Sequence, residues 1–178
     1  MSTSDPSTSS VEERIIVVSS DGRQFPMDLQ MIAQSATLHK LVVTFGYDRD
    51  PTKRQPIPVD NVSGETMEML AEWMDHFRSE PPYVEPTDKN HLPTIPVTEW
   101  DRRWLKNLDN DMLFKLINAA NFLNIGRLYD ALSKKVANLI TGKTAEQIRV
   151  VFGIKEDSDK TDRRVPTADD AQMETDNV

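Results

Sequence analysis

Few residues in this chain could carry chemistry, and their spacing speaks against it. His39, His76 and His91 are the only histidines and cysteine is absent. Zinc needs imidazoles or thiolates at short, convergent spacings, and none of the three histidines stands at one. His76 follows Asp75 and reads as a surface histidine of a helix. Asp48-Arg-Asp50 opens like a calcium loop, but the Gly at the turn and the closing Glu are missing, so it reads as a loop. Asp169-Asp170 are paired carboxylates in a polar tail, without the apolar shell that would raise one pKa for acid–base work. There is no Gly-rich phosphate cradle, no nucleophile elbow and no metalloprotease helix motif. The expectation is no catalytic residue, no metal site, no cofactor and no enzymatic activity, which leaves binding as the work.

The whole-chain properties agree. The sequence has 178 residues and a formal net charge of -8. That length suits one domain with appendages. The acidic balance argues against non-specific nucleic-acid binding and against an anionic membrane surface. No stretch approaches the length of a membrane span, and Met1–Ser10 is polar Ser/Thr-rich sequence without the apolar core of a signal peptide. These features lead us to expect a soluble protein of the cytoplasm and/or nucleus.

The elements that would position a binding surface can be read in order. Residues 1–13 are expected to be disordered. Arg14-Ile-Ile-Val-Val18 reads as a strand covered on both faces, Asp21-Gly22 as a hairpin turn, and Gln24-Phe-Pro-Met27 as a return strand at a sheet edge, where Pro26 is tolerated. Two short helices follow, the second with Leu38, Leu41, Val42 and Phe45 on its apolar face, Ser35 as cap and Gly46 as stop. Gln55-Pro-Ile-Pro-Val59 allows only a brief strand. Ser63 opens a helix bearing Met67, Leu70, Met74 and Phe77. Residues 80–96 read as a long surface loop, after which Trp100, Trp104 and Leu105 restart helical spacing. Asp111 to Ile154 then reads as three helices with short joints, broken at Gly126 through its left-handed tolerance and at Gly142, the third opened by a Thr144/Gln147 capping box. That third helix is too short to bury its apolar face alone.

In this last stretch the chain resembles a known family. Ala119-Ala-Asn-Phe-Leu-Asn-Ile125, Val136-Ala-Asn-Leu-Ile140, Gly142-Lys-Thr-Ala-Glu-Gln-Ile-Arg149 and Phe152-Gly-Ile-Lys155 resemble the S-phase kinase-associated protein 1 family. The resemblance extends upstream through Ser19-Ser-Asp-Gly22, Pro56-Ile-Pro58, Ile95-Pro-Val97 and Trp100-Asp101. Residue patterning alone indicates an α+β domain. The resemblance implies a BTB/POZ-like domain over 14–139 followed by additional C-terminal helices: an F-box-binding helix at 140–156, then a charged linker and degenerate terminal helix at 157–178.

The resemblance also implies a function: an adaptor that bridges F-box proteins to a cullin in SCF-type ubiquitin ligases. The family's cullin-contacting Asn-aromatic pair falls on Asn121 and Phe122, with Pro56 and Ile57 in the strand near that surface. The F-box face falls on Leu113, Ile117, Tyr129, Val136, Ile140, Ile148, Val151, Phe152 and Ile154. Core is the competing reading of these stripes, and the stronger one for Leu113. Two departures stand out. Lys53-Arg54 lie where the family has an acidic loop, and Thr167–Asn177 only echoes the family's last helix and carries no Trp. An alternative therefore stays open, a BTB-like module that self-associates or serves one dedicated partner. A weak homodimer is expected around Leu38, Leu41 and Val42.

Overall fold

The computed structural model describes residues 14–84 and 97–154. The N-terminal segment, most of the 80–96 loop, His91, the 157–178 tail and the Asp169-Asp170 pair lie outside the described residues. The chain divides into two units, Met1–Thr141 and Gly142–Val178.

In the first unit, a three-stranded sheet of order β2-β1-β3 is built on strand β1, Ile15–Ser19. Its neighbours are β2, Gln24–Met27, which pairs with it antiparallel, and β3, Ile57–Val59, which pairs parallel. The hairpin turns at Gly22, whose φ of 81° a side chain would strain. Both prolines of the sheet, Pro26 and Pro58, fall on edge strands, where a missing N–H costs no ladder bond on the open side. Strand β1 alternates buried Ile15, Val17 and Ser19 with half-covered Ile16 and Val18, so one face is sealed and the other only partly.

Between β2 and β3 lie α1, Leu29–Ile32, and α2, Ala36–Phe45; α3 follows β3 over Gly64–His76. Local chemistry sets these boundaries. Ser35 accepts from the Leu38 N–H and Ser63 from the Thr66 N–H, and Gly46 closes α2 at φ 71°. Leu38, Val42, Met67, Leu70, Trp73 and Met74 point into one core.

Three further helices follow among the described residues of this unit: α4, Glu99–Lys106, α5, Asn110–Phe122, and α6, Gly126–Ile140. Buried Asp101 ties α4 to α3. Its carboxylate accepts from the Thr98 N–H (2.9 Å), the Thr98 hydroxyl (2.8 Å) and Trp73 Nε1 (3.4 Å). Helices α5 and α6 pack through Leu113, Leu116, Leu123, Ile125, Leu128 and Leu132, none more than 1% exposed. Sealing such a side chain from water stabilises by about 1.5–3 kcal/mol.

The joint between α5 and α6 is made differently from the sequence expectation. Asn124, at φ 50°, takes the left-handed turn, and Gly126 is already the first residue of α6. Asn tolerates that region because its short amide can bond locally. At Gly126 an added Cβ would meet the Tyr83 ring, which would have to shift.

The second unit contains α7, Ala145–Phe152. Its capping box is complete: the Thr144 hydroxyl accepts from the Gln147 N–H, and the Gln147 side chain accepts from the Thr144 N–H. Gly153, at φ 62°, ends it.

Candidate functional site

The residues singled out from the sequence fall on α2, α5, α6 and β3 of the first unit and on α7 of the second. In the first unit, the C-terminal end of α5 meets the N-terminal end of α2. The last carbonyls of a helix and the first N–H groups of another are all orphans, and here they satisfy each other. Ala36 N donates to the Asn124 carbonyl (3.2 Å) and Thr37 N to that of Leu123 (3.4 Å). The Ser35 hydroxyl donates to the Leu123 carbonyl (2.6 Å) and the Thr37 hydroxyl to that of Phe122 (3.3 Å). The backbone carrying Asn121 and Phe122 is thereby fixed, while both side chains remain outside; Phe122 is 45% exposed. An aromatic held this rigidly loses little further entropy on meeting a partner.

Near the other end of α2, Pro56 is exposed and helps line a groove of about 730 Å³ with Leu41, Phe45 and Tyr47. Ile57 does not share its exposure. It is 4% exposed, so it lines the groove from below and offers a partner almost no surface. The same alternation that exposes Pro58 buries Ile57 and Val59.

Leu38 and Val42, expected at a dimer surface, are fully buried as well. The apolar groups α2 shows to solvent are Val43, 44% exposed, and Phe45, 55% exposed. Phe45 shares the apolar face of α2 with Leu38 in the sequence pattern, yet it is exposed where Leu38 is sealed. The chain turns off at Gly46 beneath it, and the ring tilts onto Tyr47 with centroids 5.6 Å apart. Val43 carried the only signal available, an apolar residue off the stripe.

The remaining residues lie on α5 and α6 of the first unit and on α7 of the second. Leu113 is completely buried and belongs to the core, so its expected place on a partner face is corrected. Ile117, Val136 and Ile140 are half-buried, and Tyr129 is 40% exposed. In the other unit α7 buries none of its residues. Ile148, Val151 and Phe152 are half-buried and Ile154 is exposed. Val150, missed from the sequence because it lies off the expected stripe, is 81% exposed. In the first turn of α7, Glu146 accepts from its own backbone N–H and from Thr144, which holds its carboxyl below the usual range.

Among the described residues no three acidic or histidine side chains are grouped as a metal would require, and no helix is long and apolar enough to cross a membrane. His76 stacks on the Trp100 ring with centroids 3.9 Å apart, a packing role.

With this geometry in hand, comparison with known proteins decides the lineage. Residues 13–79 match the Skp1 family tetramerisation domain and residues 127–165 the Skp1 family dimerisation domain. A Skp1-related protein of Caenorhabditis elegans is 38% identical over 82% of this chain and 83% of its own. The chain belongs to the Skp1 family. Two fungal relatives carry the name E3 ubiquitin ligase complex SCF subunit sconC. The one from Arthroderma benhamiae is 33% identical over 84% of this chain and 88% of its own, and the one from Emericella nidulans 35% over 82% and 87%. The Skp1 POZ domain thus accounts for the sheet and the first helices, and the mixed α+β class expected from the sequence holds.

Proposed function

We propose that this Skp1-family chain is the adaptor subunit of an SCF-type E3 ubiquitin ligase, joining F-box substrate receptors to a cullin N-terminal domain. It works in the cytoplasm and/or nucleus, by binding and without chemistry of its own, and with neither nucleic acid nor membrane as partner. The relatives named as SCF subunits support the complex. The observation that carries the division of labour is Phe122, an aromatic left 45% exposed on a backbone locked by α2. Such an anchor suits a preformed docking surface, and we assign Asn121, Phe122 and Pro56 to the cullin. Ile117, Tyr129, Val136, Ile140, Ile148, Val151, Phe152 and Ile154 are assigned to the F-box. Ile57 and Leu113, being buried, act only as supports.

Two partners on different residue sets should be separable by mutation. Asn121→Ala with Phe122→Ala is expected to weaken cullin affinity by about 2 kcal/mol or more, some thirtyfold, and leave F-box affinity unchanged. Phe152→Ala should do the reverse. Loss of both partners in either variant, with helical content intact, would rule out separate surfaces.

A second reading rests on Val43 and Phe45, whose exposure on α2 leaves an apolar face open. That face supports a weak homodimer alongside the adaptor role.

A further inference from the structure

A groove of about 630 Å³ runs between α4 and α6, on residues the adaptor reading does not use. Leu105 and Ala131 line its floor, and four cations, Arg102, Lys106, Lys134 and Lys135, stand around it. Among the described residues no acidic side chain lines it, although acids outnumber bases 29 to 21 in the sequence. Charge of one sign has therefore been gathered locally against the sign of the whole.

The rim is partly set in place. Lys135 Nζ donates to the Leu105 carbonyl and to that of Leu108 (3.2 Å), so its charge is held at the C-terminal end of α4. Burial pushes the ammonium pKa of Lys135 down. Arg102 pairs with Glu99, but both side chains are more than half exposed, and such a pair holds only weakly against a competing carboxylate. The groove is also turned away from the proposed F-box face. Asn138, which lines it, follows Val136 by two residues, about 200° around the helix, and Ala131 stands in the same relation to Tyr129.

We propose that this groove is a third docking surface, which takes a short acidic peptide segment of a partner protein with an apolar side chain seated on the floor. The cations match the carboxylates, and a groove of about 630 Å³ has room for a short peptide segment. A nucleic acid fits less well, since a phosphate backbone extending past the rim meets a chain of net charge -8. Because the groove and the Tyr129–Val136 face lie on opposite sides of α6, the segment binds while an F-box is bound.

The test is fluorescence anisotropy on the full chain. The probe is a short fluorescein-labelled peptide in which Asp and Glu flank a Leu pair, with a Lys-substituted version as control. The acidic peptide should bind, and more weakly as salt rises. Arg102→Glu with Lys106→Glu should weaken it about tenfold or more, about 1.4 kcal/mol. Both positions are exposed, so the fold is expected to survive, which unchanged circular dichroism would confirm. Lys40→Glu with Arg49→Glu, an equal change in net charge at exposed positions that do not line the groove, should leave affinity within about twofold. Three results would overturn the proposal: no preference for the acidic over the Lys peptide, equal losses from both charge reversals, or displacement of the peptide by single-stranded DNA at comparable concentration.

Discussion

Phe122 and Leu113 sit nine residues apart on one helix and answer to different physics. Phe122 is half in water on a backbone pinned by Ser35 and Thr37, and truncating it should spare the fold. Leu113 is sealed in the core, so Leu113→Ala leaves a cavity and should cost about 2–5 kcal/mol of stability. Chemical denaturation separates them: the Leu113 variant should lower the midpoint and the Phe122 variant should not. Asp101 makes a third case, a buried carboxylate with three hydrogen bonds. Asp101→Ala strands Trp73 Nε1 and the Thr98 N–H and should destabilise by about 2 kcal/mol, measured the same way. Residue types alone did not separate partner-facing from core positions. Leu113 and Ile117 share a helical stripe, and only the packed structure reveals that one is sealed and the other borders solvent.

At the scale of elements the sequence was far more legible, because helix ends are local chemistry. Ser35, Ser63, Gly46 and the Thr144/Gln147 box all do what their types and spacing foretell. The misreadings came where an end depends on something distant. The pattern suggests Gly126 as the left-handed residue, yet Asn124 makes the turn, and what lies against Gly126 is the Tyr83 ring, far off in sequence. Phe45 shares the apolar face of α2 yet is exposed, because periodicity says which side of a helix is apolar but not where the core beneath it stops. Helix α7 follows from the same reasoning. Eight residues with none buried form a helix marginal in water, so its cap matters. Thr144→Ala should cost about 1 kcal/mol of α7 stability and weaken F-box binding about fivefold, read by amide exchange and titration. Removing residues 157–178 should weaken F-box binding only modestly, since Thr167–Asn177 offers little apolar area. Outright loss of binding on that deletion would show that the tail holds the F-box.

For the molecule as a whole, function follows from what is left uncovered. The core uses one side of α2, α5 and α6, and the remaining apolar groups lie on separate patches. Val43 and Phe45 should give a weak, concentration-dependent dimer that Phe45→Glu dissolves; a strictly monomeric mass at high protein concentration would remove that idea. The adaptor claim makes the sharper demand, that both partners be held at once. The direct measurement is size-exclusion chromatography with light scattering on the purified chain mixed with an F-box segment and a cullin N-terminal domain. One peak is expected whose mass equals one copy of each, with the F-box segment and the cullin domain failing to associate when the chain is left out. Two binary complexes that never combine, or binding of neither partner, would contradict it.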